Sequence, residues 1–177
     1  MHCPKITPST KLCAIIGNPI GHTLSPLVHN AAFKHLDLDY VFLAFEVERL
    51  QEAVRGIAAL GLKGVSVTIP HKVEVMDYLD EIDPVARRIG AVNTIVNRDG
   101  RLIGYNTDWS GAIKALEDRI DLRGKTAAVL GAGGAARAIA FGLRERGAQP
   151  IILNRTVARA EALASALQCP FAPIDLI

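Results

Sequence analysis

An α/β fold in two parts is what the 177-residue sequence predicts, and three observations predict it. Short apolar runs alternate with helical stretches along the whole chain, the pattern of strand–helix–strand units. A glycine-rich turn, Gly131-Ala-Gly133-Gly134-Ala135-Ala136, joins the apolar run Thr126–Leu130 to a helical stretch, and a second apolar run, Pro150–Asn154, follows one helix length later. That spacing is the opening of a Rossmann-like unit. Polar residues in the first half cluster just after apolar runs, where α/β proteins bind small molecules. The sequence therefore reads as an α/β domain over 1–110, followed over 111–177 by a Rossmann-like unit.

The elements follow in order. Lys11 to Gly17 is an apolar run that exits through Gly-Asn-Pro, a first strand and its turn. Ser25 is a good N-cap and Pro26 a good N1 residue for a helix whose apolar stripe is Leu27, Val28, Ala31, Ala32 and Leu36. Asp39 to Glu46 is a second strand, and Leu50 to Leu60 a second helix closed by Gly61. Gly64 to Ile69 is a third strand, ended by Pro70, after which His71 and Lys72 open a helical segment. Asp83-Pro84 starts a short helix running to Gly90. Thr94 to Arg98 and Arg101 to Tyr105 are strands joined by Asp99-Gly100, a strong hairpin signal. A helix from about Asp108 to Asp118 leads to the glycine-turn strand.

Composition narrows the function classes. Half the residues are hydrophobic and 21% are charged, so a packed core is expected and disorder is not. A net charge of +2 is too small to argue for nucleic acid or an acidic membrane surface. Cys3, Cys13 and Cys169 lack metal-ligand spacing, and an odd number of cysteines gives no disulfide framework, so the expected setting is a reducing cytoplasm. Met1 to Thr10 has no apolar run with a cleavage site, so no signal peptide is expected. The most apolar window, 127–143, holds the glycine turn and Arg137, and reads as a buried strand and helix rather than a membrane span.

Gly131, Gly133 and Ala136 fit G-x-G-x-x-G/A. The first residue allows a tight turn, the second lets backbone approach a pyrophosphate, and the small third lets helix and strand pack closely. An NAD site usually carries an acid about 20 residues on, for the ribose 2′-hydroxyl. Asn154, Arg155 and Thr156 stand there instead, with Arg159 one turn further. Guanidinium groups at that address suit a 2′-phosphate and favour NADP, although either arginine alone could simply face solvent.

Thr23 and Ser25, Thr68 and Lys72, Asn93, and Asp108 are the polar residues that need explaining. Each has an ordinary structural reading, as a cap, a strand residue, a turn former or a solvated lysine. Their motifs, however, resemble in order the signatures of the shikimate dehydrogenase family. These are Gly17-Asn-Pro19, His22-Thr23-Leu-Ser25-Pro26-Leu-Val-His29-Asn30, Gly64-Val-Ser-Val-Thr68-Ile-Pro70-His-Lys72, Gly90-Ala-Val-Asn93-Thr94 and Gly104-Tyr-Asn-Thr107-Asp108, followed by the glycine turn and Asn154-Arg155-Thr156. The likeness runs from about Lys11 to Leu167.

The resemblance implies reversible, NADP-linked interconversion of 3-dehydroshikimate and shikimate. It implies that Thr23 and Ser25 hold the substrate carboxylate, that Thr68, Asn93 and Asp108 bind ring hydroxyls, and that Lys72 and Asp108 form the catalytic pair. Electrostatic stabilisation of the alkoxide is an alternative role for Lys72. The family usually has Ser at the position of Thr23 and Asn-Val-Thr at Ser66-Val67-Thr68. The resemblance implies an N-terminal α/β substrate domain over 1–110 and the first part of a Rossmann-like NADP-binding domain over 111–177. Family members continue past a complete Rossmann half, so this chain, stopping at Ile177, is expected to carry the N-terminal portion, with that second domain incomplete, and to have little activity by itself. Two alternatives stay open: a quinate/shikimate dehydrogenase preferring NAD, and a non-catalytic shikimate- or nucleotide-binding module. The expected partner is the small-molecule substrate, with a homodimer left open and neither nucleic acid nor membrane expected.

Overall fold

The structure is a computed structural model and describes residues 6–176. Cys3 and the start of the stretch read above for a signal peptide lie outside the described residues. The chain divides into two interleaved units, Met1–Asp83 with Val92–Tyr105, and Pro84–Ala91 with Asn106–Ile177.

The first unit contains strands β1 (Lys11–Gly17), β2 (Tyr40–Glu46), β3 (Gly64–Val67), β4 (Glu81–Ile82), β5 (Thr94–Arg98) and β6 (Arg101–Tyr105), with helices α1 (Ser25–His35) and α2 (Leu50–Ala59). One sheet holds the six strands in the order β2-β1-β3-β5-β6-β4. The sheet is mixed rather than wholly parallel: β2, β1 and β3 run parallel, whereas β5 is antiparallel to both β3 and β6. The two-residue turn folds β6 back along β5. Asp99 (φ 53°) and Gly100 (φ 94°) both occupy the left-handed region, the geometry that folds a hairpin directly back on itself. Asn97 Oδ1 accepts the Gly100 N–H at 2.8 Å and secures the turn. Ser66 near the end of β3 pairs with Thr94 at the start of β5, and Thr94 pairs with Tyr105 at the end of β6.

Two expectations are corrected in α1. Ser25 is its first helical residue and Leu24 its N-cap, with no side-chain cap bond. The apolar stripe faces outward as well: Leu27 is 76% exposed, Val28 61% and Leu36 62%. Helix α1 instead meets the sheet through His29, Asn30 and Phe33. The His29 ring stacks on Phe42 at 4.2 Å between centroids, and Phe33 lies 5.2 Å from Tyr40. Asn30 donates through Nδ2 to the Phe42 carbonyl and accepts the Phe42 N–H, both at 2.9 Å, as a neighbouring strand would. Since β2 ends the sheet, this side chain covers part of an otherwise open strand edge. Helix α2 follows its predicted pattern, burying Leu50, Val54 and Ile57 and closing at Gly61 (φ 67°).

In the second unit α3 (Pro84–Ile89), α4 (Asp108–Glu117), α5 (Gly134–Glu145) and α6 (Val157–Leu167) accompany a parallel sheet of order β7-β8-β9, formed by Thr126–Leu130, Gln149–Asn154 and Phe171–Pro173. Its core gathers Ile89, Ile113, Val129, Ala140, Phe141, Ile152 and Leu163. Trp109 meets the Phe141 ring edge-on at 5.6 Å. At Gly142 an added Cβ would collide with Ile113, so α4 and α5 approach closely only because that residue has no side chain.

Candidate functional site

Each unit carries its own group of candidate residues. In the first, β1 and β3 end, β5 begins and β6 ends along one edge of the sheet. Strand β3 stops at Val67, two residues sooner than the sequence suggested, which leaves Thr68 just beyond it. The Thr68 N–H donates to the Ile16 carbonyl at 2.9 Å, and a Cβ on Gly17 would strike the Thr68 methyl group. Lys72 lies in a turn rather than at a helix start, because the helical segment that follows is a 3-10 helix beginning at Glu74. Val92 N–H donates to the Lys72 carbonyl and Val67 N–H to the Asn93 carbonyl, both at 2.7 Å. Thr68, Lys72 and Asn93 are thus brought to one edge, with Asn93 arriving from the amino end of an antiparallel strand. Thr94 Oγ1 donates to Asn93 Oδ1 at 2.9 Å.

Thr23 and Ser25 sit beyond β1, at the head of α1. Thr23 Oγ1 donates to Ser25 Oγ, and Ser25 N–H donates to Thr23 Oγ1, each at 3.2 Å. Two hydroxyls side by side at a helix N-terminus can both turn toward an anion.

Asp108 belongs to the second unit, as the first residue of α4. Its N–H donates to Asn106 Oδ1 at 3.0 Å, and Asn106 Nδ2 donates to the Ala91 carbonyl at 2.9 Å. Asn106 is buried, and sequence reasoning gave it no role of its own. Its signal was present, since an asparagine two residues before a helix start is a common turn former.

The glycine turn is built for close backbone approach. Gly131 has φ 107°, which only glycine adopts readily, and its N–H donates to the Leu153 carbonyl at 2.7 Å. Gly133 is the N-cap of α5, without a side-chain cap bond, and a Cβ there would meet nothing within 4 Å. The first N–H groups of α5 have no intrahelical partner by helix geometry and lie at the positive end of its dipole. At the end of β8, Asn154 Nδ2 donates to the Thr156 carbonyl at 2.9 Å, and Arg155, Thr156 and Arg159 are exposed. The first acid after them is Glu161. A glycine turn leading into a helix N-terminus, with exposed guanidinium groups after the next strand, fits a phosphate-bearing dinucleotide. Arg137, one turn into α5, keeps its Nε buried without a partner, and burial pushes its guanidinium pKa down.

Burial pushes the Cys13 and Cys169 thiols up, so neither is an activated nucleophile. Among the described residues no His, Cys, Asp and Glu cluster is arranged for a metal, and no helix is long and apolar enough to cross a membrane.

The two units together are those of an α/β protein whose second unit opens on a Rossmann-like glycine turn. Comparison with known proteins agrees. Residues 15–95 match the family description "Shikimate dehydrogenase substrate binding domain", and residues 113–176 match "Shikimate / quinate 5-dehydrogenase". The shikimate dehydrogenase (NADP(+)) of Bacillus cereus strain B4264 is 56% identical over 161 residues, covering 88% of this chain and 58% of that protein. The crystal structure of shikimate dehydrogenase from Aquifex aeolicus superposes with a TM-score of 0.91 at 41% identity, covering 95% of this chain and 64% of the other. That of shikimate 5-dehydrogenase from Thermus thermophilus, in complex with NADP(H) and shikimate, gives 0.84 at 40% identity, covering 92% and 63%. The chain belongs to the shikimate dehydrogenase family. It spans about three-fifths of the length of the curated relatives it matches.

Proposed function

We propose that this chain serves the reversible NADPH-linked reduction of 3-dehydroshikimate to shikimate, a step of chorismate and aromatic amino-acid biosynthesis in the cytoplasm. One observation carries the reading: a match to the substrate binding domain of shikimate dehydrogenase over 15–95 and a glycine turn of dinucleotide type at 131–134 occur in the same chain.

The residue roles are those the family resemblance implies, and the residue types suit them. Bound NADPH would supply the hydride to the carbonyl carbon. Thr23 and Ser25 donate hydroxyl hydrogens to the substrate carboxylate, aided by the α1 dipole. Thr68, Asn93 and Asp108 hydrogen-bond ring hydroxyls and orient the ketone. The Lys72 ammonium gives its proton to the oxygen as charge develops there, and in the reverse direction takes it back; Asp108 is its partner in that pair. The amides of Gly133, Gly134 and Ala135 hold the pyrophosphate, with Gly131 setting the turn. Asn154, Arg155, Thr156 and Arg159 hold the adenosine 2′-phosphate, with the guanidinium groups giving NADP its advantage over NAD.

The test is the purified chain with shikimate and NADP+, monitored for NADPH formation, beside quinate and NAD+ as competing pairs. Shikimate-dependent NADPH formation supports the reading, and Lys72→Ala should then lower kcat by roughly 10²- to 10⁴-fold with a smaller loss of shikimate binding. Shikimate binding without turnover, both in this chain and in a version extended to the length of its relatives, would favour a binding module. Preference for NAD would overturn the cofactor assignment, and absence of both binding and turnover would overturn the whole. Sedimentation of the same sample reads whether two copies associate.

A further inference from the structure

We infer that His71 is a positioning residue for Lys72, because its imidazole closes a ring of hydrogen bonds that fixes the turn carrying that lysine. The inference rests on the reading of Lys72 as the proton-transferring group. His71 is only 5% exposed although it lies in a turn, between exposed Pro70 and half-buried Lys72. Its Nε2 is 2.9 Å from the Val47 carbonyl, while Nδ1 is buried with no hydrogen-bond partner. A carbonyl only accepts, so Nε2 carries the proton and Nδ1 is left as an unshared lone pair. The proposed functional chemistry uses neither nitrogen.

The ring of bonds shows what the side chain does. Val47 N–H donates to the Gly17 carbonyl at 3.0 Å, Asn18 N–H to the Ile69 carbonyl at 2.9 Å, and His71 N–H to the Thr68 carbonyl at 2.9 Å. His71 Nε2–H then returns to Val47 and closes the circuit. Backbone bonds thus tie the turn to the end of β1, and the end of β1 to the residue after β2; the imidazole ties the turn to that residue directly. Neighbouring side chains in a turn diverge, so a ring held inward at position 71 sets the direction in which position 72 projects. An apolar residue of equal bulk would fill the space and remove the donor from the Val47 carbonyl. Gly17 supports the same turn from below, since a side chain there would displace Thr68.

The test compares His71→Phe, which keeps a ring and loses the donor, with His71→Gln, whose amide keeps a donor at similar reach. Lysines are reductively methylated with a ¹³C label and read by NMR, with the Lys72 signal assigned through Lys72→Arg. We expect that signal to move in the Phe variant and return in the Gln variant, while those of Lys63 and Lys114 stay in place. If the chain turns over, kcat should fall in the Phe variant by about 10- to 100-fold with little change in KM, since a misplacement near 1 Å costs on the order of 10²-fold. A Lys72 signal unmoved by His71→Phe, or not restored by His71→Gln, overturns the inference whatever the activity. A signal that behaves as expected in a protein that binds no shikimate upholds the positioning and overturns the functional reading instead. Should the Phe variant not fold, imidazole ¹⁵N shifts of the unaltered protein decide: the Nε2–H tautomer upholds the ring of bonds, and the Nδ1–H tautomer overturns it.

Discussion

Arg155 and Asn30 show how much a single side chain can decide. Arg155 is exposed at the end of β8, with no acid among residues 154–160, so a 2′-phosphate would meet a guanidinium and a 2′-hydroxyl would find no carboxylate. Arg155→Asp should therefore weaken NADP by roughly 10- to 100-fold, the equivalent of one charged hydrogen bond, and leave NAD unchanged or improved. Dissociation constants for the two nucleotides check this, and an equal loss for both would remove Arg155 from the 2′-phosphate site. Asn30 acts on the fold. Truncation to Ala takes away both bonds to the Phe42 backbone on the outer side of β2, which should cost about 1–3 kcal/mol in urea denaturation. Asn30→Asp, which keeps the acceptor for the Phe42 N–H but sets a carboxylate oxygen against the Phe42 carbonyl, should destabilise at least as much as Asn30→Ala.

Helices pack by shape, and two helical glycines carry opposite expectations for that reason. Changing a helix-interior glycine to alanine ordinarily stabilises by about 0.5–1 kcal/mol, through backbone entropy. Gly56 in α2 has nothing within 4 Å of where its Cβ would stand, so Gly56→Ala should show that gain. At Gly142 in α5 the new methyl would collide with Ile113, which is wholly buried and has no room to retreat. Overpacking costs about 1–3 kcal/mol and outweighs the propensity gain, so Gly142→Ala should destabilise. Thermal unfolding of the two variants reads the signs; equal shifts would show that α4 and α5 are not in close contact. The same reasoning explains where the sequence misled. Helix α1 has an apolar stripe by spacing, yet it turns His29, Asn30 and Phe33 to the sheet, because β2 offers aromatic rings and an open edge for them to bond. Periodicity reports an apolar face and is silent on what that face meets.

Across the whole chain, what was legible follows the range of the interaction that determines it. Local signals placed the Asp99-Gly100 hairpin, the closing glycine of α2 and the strand–turn–helix around Gly131, because turn chemistry acts within a few residues. Strands β4, of two residues, and β9, which includes Pro173, were not legible: one is too short to show a period, and proline argues against a strand except at a sheet edge, where β9 lies. The candidate site divides the same way. Thr23, Ser25, Lys72 and Asp108 stood out as motif residues, whereas buried Asn106 and His71 show their bonding only once distant strand ends are assembled. This division yields a further prediction, because the residues expected to hold shikimate lie chiefly in the first unit and those expected to hold NADP in the second. Ligand bound to the native state alone adds about 2.7 kcal/mol at 100 times its dissociation constant, which slows exchange about 100-fold for amides that exchange through opening of the bound region. Hydrogen exchange with shikimate alone should protect 17–25, 67–72 and 92–94, and exchange with NADP alone should protect 131–137 and 154–160. NADP protecting the Thr68–Lys72 turn while leaving the Gly131 turn unchanged would reverse the assignment of sites. Shikimate protecting neither the Thr23–Ser25 pair nor that turn would leave the first unit without the substrate role proposed for it.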